Sequence, residues 1–463
     1  MLYGNPSFME NDRFGIKQIY VMNSKIVFFW AYVVATGGFL FGFDTAVISG
    51  AEQSIQQYWH LTEMQHGFTI SIALIGTVIG ALGGSLPSDK LGRKTTLIIV
   101  AAIYLLSALG TGMATNWYFF LACRFIGGLG VGASSVTAPV YISEISPPQY
   151  RGRMVGLFQF NVVFGILISY LSNYLIGQTG ENSWRLMLGI QAIPSAIFLV
   201  LLRWVPESPR WLLLQHNKET AAIAILQIIN PAGFREDIAT IRQSQQKSGS
   251  NAPKERLFSA RYRTPVMLAV LFAIFNQVSG INAIIYYAPR IFEMSGLGAD
   301  SSRLSTVGIG IVNFIFTLTA MRFIDRIGRR QLMFIGTIGL IATLGLVSIS
   351  FYMHSGGIAV VSYLLFYIAF FAFSQGAVIW VFIAEIFPTQ VRAKGQTLGS
   401  FTHWIMAAII AFTFPYLASH IGSGHIFLFF TIMMALQLLF VWRWMPETKG
   451  KTLEQIEVTM IMH

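Results

Sequence analysis

Charge is scarce in this chain. Only 11% of its 463 residues are Asp, Glu, Lys or Arg, against 54% hydrophobic residues and a mean hydropathy of +0.61. Soluble domains carry nearer a quarter charged residues, so the composition excludes a soluble protein and implies an integral membrane one. Cysteine is almost missing: the single Cys123 lies inside an apolar segment and allows no intrachain disulfide. Strict apolar–polar alternation is missing too, which excludes the strands of a membrane barrel. Nucleotide and metal motifs are lacking. "KGKT" at Lys449–Thr452 resembles the end of a phosphate-binding loop, but Met445 stands where its first glycine belongs and no strand precedes it. No histidine pair with a glutamate has metal-ligand spacing. No cofactor and no metal are expected, and the chain does not read as an enzyme.

What the chain has is apolar runs of ~20 residues, the length of helices that cross ~30 Å of hydrocarbon. Twelve spans are predicted, at about 26–48, 67–87, 96–115, 118–140, 154–177, 186–204, 264–288, 304–323, 332–352, 358–382, 398–418 and 424–444. The first is too long, and too continuous with those that follow, for a cleaved signal peptide. The formal net charge of +11 raises the question of a nucleic-acid partner, and its distribution answers it. With the N-terminus inside, all of the 31 Lys and Arg except Arg124, Arg185, Arg290 and Arg303 fall in or beside cytoplasmic segments. That is the positive-inside bias. The basic balance reports topology in a lipid bilayer, with both termini cytoplasmic, and no nucleic-acid partner.

Charged clusters occur twice. "DKLGRK" (Asp89–Lys94) returns as "DRIGRR" (Asp325–Arg330), "SEISPPQYRGR" (Ser143–Arg153) as "AEIFPTQVRAK" (Ala384–Lys394), and "PESPR" (Pro206–Arg210) as "PETKG" (Pro446–Gly450). The offsets are 236, 241 and 240 residues, and each cluster follows an even-numbered span. A duplicated six-span unit with both copies in one orientation is implied. The expected fold is an all-α membrane protein of twelve transmembrane helices in two parallel six-helix halves, with a cytoplasmic helical linker. Residues 1–204 form the first half, 205–263 the linker and 264–463 the second half with a short tail. Within the linker, "ESPRWLLLQHNKETAAIAILQII" reads as helix and "RQSQQKSGSNAPKER" as flexible. Parallel halves with a site near the bilayer midplane are a transporter architecture; a purely structural duplicated bundle is the plainer alternative.

Taken together, "PESPRWL" (206–212), "PETKGKTLEQIE" (446–457), "RFIGGLGVG" (124–132) and "NQVSGINAIIYYAP" (276–289) resemble the sugar porter family of the major facilitator superfamily, over roughly residues 25–457. Bacterial proton-coupled hexose and pentose symporters belong to that family. The resemblance implies the major facilitator fold in the plasma membrane. It implies gradient-driven import of a monosaccharide, with a glucose-like hexose as the leading expectation, together with a proton. A uniporter on the same fold is the first alternative. A sugar sensor would need longer cytoplasmic tails, and the seventh-span motif speaks against an exporter of another solute. No obligate protein partner is implied. Three positions depart from the family: Asn276-Gln277 replaces a common Gln-Gln pair, His403 stands where Asn or Gln is usual, and Ser85 replaces a glycine.

A sugar is a ring of hydroxyls with apolar C–H faces. Amides that donate and accept suit the hydroxyls, and Trp or Tyr rings suit the faces. The seventh span supplies Asn276, Gln277, Asn282, Tyr286 and Tyr287. On a regular helix Gln277 and Asn282 point about 140° apart, but Ser279-Gly280 lies between them, and a break there lets both amides converge. The alternative is that these groups satisfy one another between helices. By resemblance, Gln159 and Asn313 contact sugar, and Phe41, Trp380 and Trp404 are the aromatic positions. His403 titrates, donates to sugar, or merely packs. The resemblance also makes Asp89, Arg93, Glu144 and Arg151, with Asp325, Arg329, Glu385 and Arg392, a cytoplasmic gate network that latches the halves when the cavity faces outward; solvated loop charge is the plainer reading.

One aspartate interrupts the first span, in "FLFGFDTAV". A mid-span Asp costs ~2.5–3.5 kcal/mol on insertion scales, so it is paired or functional. Arg124, the other charge deep in the early spans, is the expected partner. A carboxylate held between an arginine and hydrocarbon is under opposed influences and can take and lose a proton. Asp44 and Arg124 are therefore the proton-coupling candidates, with a static structural pair as the alternative. By resemblance, relatives that merely equilibrate sugar often carry Asn at the Asp44 position.

Overall fold

All twelve apolar runs fold as helix in the computed structural model, and among the described residues no strand occurs. Those residues are 10–147, 150–180, 182–215, 218–231, 233–249, 256–388, 390–450 and 455–456, with backbone alone for 10–24, 215 and 244–249. The spans are Lys25–Tyr58, Glu63–Gly83, Arg93–Met113, Trp117–Ile145, Arg151–Ile176, Ser183–Trp204, Ala260–Met294, Ala299–Ile327, Arg329–Tyr352, Ile358–Ile386, Arg392–His420 and Ser423–Arg443. Large apolar side chains such as Leu106, Met113, Ile197 and Phe366 remain exposed. In water that would be an aggregating surface; here it is the face offered to lipid.

Local chemistry sets the helix ends. Thr62 opens the second span with a capping box: its hydroxyl accepts from the Gln65 amide, and the Gln65 side chain accepts from the Thr62 amide. Asn116 caps the fourth by accepting from Tyr118 and Phe119. Several spans outrun their expected limits. The first helix starts at Glu10, because no proline interrupts the polar stretch before the span. The fourth continues through Pro139 to Ile145, and the second stops at Gly83, with Ser85–Leu91 forming a separate short helix. In the linker, Pro209–Gln215, Glu219–Ile229 and Phe234–Gly249 are helical, so helix extends into the stretch expected to be flexible. Residues 250–255 of that stretch, and most of "KTLEQIE" after Gly450, lie outside the described residues.

Within each half, helices meet at small residues, as close packing in lipid requires. Gly128 and Gly132 of the "GGLGVG" run lie so close to the second span that a Cβ would stand 2.0 and 2.2 Å from the carbonyls of Ala73 and Thr77. Between the halves, the second span packs on the eleventh and the fifth on the eighth. These two contacts exchange under the six-span repeat, so the halves are related as two copies of one unit around a central seam. The seam is where a site can form.

Candidate functional site

The seventh span is broken where the sequence suggests. Helix Arg263–Val278 ends at Ser279, Gly280 adopts φ +88°, and helix Ile281–Met294 begins. That φ favours glycine, and a Cβ there would meet the Phe430 ring at 2.5 Å. The Tyr367 hydroxyl, donating to the Ser279 carbonyl at 3.0 Å, pins the break. Gln277 and Asn282 consequently converge: Asn282 Nδ2 donates to Gln277 Oε1 at 2.6 Å. Gln277 Nε2 donates to Asn276 Oδ1 at 3.0 Å and lies 3.2 Å from a ring nitrogen of His403. All four side chains are buried. The amides thus satisfy one another, and a hydroxylated ligand would exchange these bonds for its own.

Against this polar chain runs an aromatic one. The Trp380 ring centre lies 4.8 Å from His403, His403 lies 4.9 Å from Trp404, and Trp404 lies 5.6 Å from Phe41. Phe41 belongs to the first span and the other three to the second half, so the chain crosses the seam. Trp380 remains 37% exposed and offers a free face. Three expected residues stand apart from this group. Tyr287 is fully buried and its hydroxyl donates to the Ala411 carbonyl at 2.8 Å. That bond binds it to the eleventh span, so in this state its hydroxyl does not face a sugar. Gln159 and Asn313 are half-buried, and no hydrogen bond joins either to the amide cluster among the described residues.

Asp44 and Arg124 meet in the first half, Arg124 Nη1 donating to Asp44 Oδ1 at 2.9 Å, with both side chains buried. Arg124 Nε is buried with no partner, so one bond direction carries the pair. A narrow cavity touches Asp44, Arg124, Thr45, Tyr286 and Trp404. The carboxylate therefore shares a space with Trp404 of the aromatic chain and with Tyr286 of the broken span.

The repeated loops build two matching clusters. Arg93 pairs with Glu144 at 3.0 Å and Asp89 at 3.1 Å. Arg329 pairs with Glu385 at 2.8 Å and Asp325 at 2.9 Å. Arg151 Nε donates to the Ser143 carbonyl and Arg392 Nε to that of Phe387, each within its own half. These ion pairs do not cross the seam, whereas a latch between halves is the expectation for the outward-facing state. The reason is conformational: the face opposite these loops is shut. Arg290 of the seventh span binds Glu52 of the first, and Arg303 of the eighth donates to the Gly177 carbonyl at the end of the fifth.

The loop clusters also contain residues that the sequence reading passed over. Glu207 Oε1 accepts from the backbone amides of Arg93 and Lys94 at 3.0 and 3.2 Å. Glu447 accepts from those of Arg329 and Arg330 at 2.9 and 3.0 Å. Each carboxylate sits on a helix N-terminus, where orphan amides and the helix dipole favour negative charge. Ser208 and Thr448 then donate to Glu144 and Glu385, both at 2.6 Å. The signal was present, since both glutamates lie in the repeated Pro-Glu-Ser/Thr motif.

Two six-helix halves, a broken helix at their seam and a polar-aromatic cluster beside a buried ion pair define a membrane transporter of the major facilitator fold. Comparison with known proteins agrees. Residues 30–460 match the family described as "Sugar (and other) transporter", and the chain belongs to the sugar porter family of the major facilitator superfamily. It is a multi-pass membrane transporter, not an enzyme. It is 33% identical to the D-xylose-proton symporter of Escherichia coli K12, over 94% of this chain and 96% of that one. It is 36% identical to the glucose transporter GlcP of Staphylococcus epidermidis, over 91% and 95%. The inward-open structure of the E. coli xylose transporter XylE superposes with a TM-score of 0.83 at 32% identity, covering 94% of this chain and all of that one. XylE bound to 6-bromo-6-deoxy-D-glucose superposes at 0.78 and 33%, covering 95% of this chain and all of that one. The likeness to a structure described as inward-open agrees with the shut face described above.

Proposed function

We propose that the protein imports a monosaccharide, a glucose-like hexose first, together with a proton by alternating access. In this reading it sits in the plasma membrane with both termini and residues 205–263 cytoplasmic, and residues 1–204 and 264–463 are the halves that move. The observation that carries the proposal is the shared cavity: Asp44 and Arg124 open onto the space reached by Trp404 and Tyr286. In this reading the proton-binding pair and the aromatic chain border one space, which supports coupling between them.

In this reading each group has a role. Asn276, Gln277, Asn282 and His403 exchange their mutual bonds for sugar hydroxyls, while Trp380, Trp404 and Phe41 cover the C–H faces. Gln159, Asn313 and Tyr287 join when the halves re-close around the ligand. A proton arriving from outside neutralises Asp44, which turns a charge-assisted bond into a weaker one and frees Arg124 to change partners. Its release inside restores the pair. Asp89, Arg93, Glu144 and Arg151, with their counterparts Asp325, Arg329, Glu385 and Arg392, are rearranged between states of similar free energy, so a few bonds bias the equilibrium. A pentose is the second reading, favoured by the relatives named for xylose and arabinose, which match as well as the glucose transporters do.

Counterflow in proteoliposomes at equal pH on both sides tests the substrate. Vesicles loaded with unlabelled glucose, xylose or arabinose should trap the labelled form of one of them, with glucose strongest. Trapping of none of the three overturns sugar transport, and xylose ahead of glucose replaces the hexose with the pentose.

A further inference from the structure

The shut face is tied across the seam by a charged cluster, besides the bond of Arg303 to the Gly177 carbonyl. Arg290 lies on the outer helix of the seventh span, Ile281–Met294. Its Nε donates to Glu52 Oε1 at 3.0 Å, and its Nη2 lies 2.9 Å from Glu52 Oε2, a two-point contact. Nη2 also donates to Gln56 Oε1, and Nη1 lies 3.8 Å from Glu63 Oε2. His66 Nε2 stands 2.6 Å from Glu52 Oε2. The carboxylate of Glu52 and the ring of His66 are wholly buried. Glu52 and Gln56 come from the first span, and Glu63 and His66 from the start of the second, all in the first half. Arg290 alone comes from the other half. Tyr287, one turn before Arg290, faces His66 across 6.1 Å. The eleventh span packs on the second through Phe412 against Gly67 and carries no charged side chain between His403 and His420.

A carboxylate buried in a membrane span needs a cation or strong donors. The one permanent cation against Glu52 among the described residues is supplied across the seam. When the halves part at this face, water replaces Arg290 and Glu52 is no longer stranded. Removing Arg290 therefore harms the shut state and leaves the open state nearly untouched, and that differential interaction is what shifts a conformational equilibrium.

We propose that Arg290, gripped by Glu52 and flanked by Gln56, Glu63 and His66, is the outer latch of the transport cycle. Its bonds hold the outer mouth shut while the cavity faces inward, and they break as it turns outward. The proposal rests on the alternating-access reading above. It also divides the work between the two faces: here the loop clusters around Arg93 and Arg329 keep their ion pairs within their own halves, while the outer cluster joins the halves.

The test uses Ser49→Cys on a Cys123→Ser background in proteoliposomes of known orientation. Ser49 is buried one turn from Glu52 on the same helix face, so a membrane-impermeant maleimide added outside reaches it when the outer mouth opens. Arg290→Gln should speed labelling about tenfold, the population shift expected from losing one charge-assisted bond. Glu52→Gln should do the same, and Arg290→Lys should fall between. Should one variant fail to reach the membrane, the other removes the same bond from the opposite half. Unchanged or slower labelling in either folded variant overturns the latch. Sugar counterflow by the parent, measured alongside, separates the two claims: the latch fails on labelling, the transport reading on counterflow.

Discussion

Asp44→Asn separates the coupling role of the buried pair from a structural one. Asn keeps an oxygen where Arg124 Nη1 now donates at 2.9 Å, so the local fold has a substitute acceptor. What changes is charge. Arg124 stays ionised, so its bond to Asn is still charge-assisted, but a buried arginine has lost its counter-charge. Breaking such a pair outright costs roughly 3–5 kcal/mol, an upper bound here because the Asn oxygen still accepts. The effect on coupling is of a different kind. One pH unit is worth about 1.4 kcal/mol per proton moved, which is tenfold in sugar concentration when one proton accompanies one sugar. A gradient of roughly two units thus supports ~100-fold accumulation in the parent and none in a variant with nothing to titrate. The assay is labelled-sugar uptake into proteoliposomes, outside acidic, followed to steady state, with counterflow at equal pH as the control. Asp44→Asn should equilibrate sugar without concentrating it, while counterflow persists because the amide cluster is unaltered. A static pair predicts a different pattern, with both modes lowered together. Accumulation by Asp44→Asn with the parent's pH dependence would refute the reasoning and move coupling to another residue.

Three further predictions follow from the geometry. Gln277→Ala removes the centre of the amide chain and should weaken sugar binding by about 1–3 kcal/mol, read as a shift in the midpoint of tryptophan fluorescence quenching; an unchanged midpoint at normal expression removes Gln277 from the site. Glu207→Ala strands the amides of Arg93 and Lys94 and should lower the thermal unfolding midpoint of the detergent-solubilised protein, and Glu447→Ala should do the same for the second half through Arg329 and Arg330. Equal midpoints in parent and both variants would show that water caps these helices as well as the glutamates do. Cysteines at Gln57 and Gln246, on a Cys123→Ser background, should react with impermeant reagent from opposite sides, and labelling of both from outside would overturn the proposed orientation.

Much of this architecture is legible in the sequence because lipid leaves few choices. Backbone groups must be satisfied within each span, so every long apolar run becomes helix, and the repeated loops expose the duplication. The break at Ser279-Gly280 was readable because glycine is the residue that tolerates φ +88° there. The tenth span is broken as well, at Ser374 with φ −118° and ψ −89°, where no proline or positive-φ glycine gave warning. Tyr287 shows a second limit: its hydroxyl is taken by Ala411, a partner 124 residues away that no local pattern reveals. Glu207 and Glu447 were visible as a repeated pair, but the helix ends they cap lie more than a hundred residues earlier. Arg290 surfaced only as an exception to the charge bias, and its meaning depends on Glu52 standing opposite it across the seam.

The most direct measurement is steady-state uptake of the counterflow-active sugar by the unmodified protein in proteoliposomes, with and without an imposed pH gradient and with the membrane potential clamped. A proton-coupled importer concentrates the sugar inside when the outside is acid, and loses that excess when a protonophore collapses the gradient. An internal concentration that levels at the external one under both conditions would contradict coupling through Asp44 and leave a uniporter in its place.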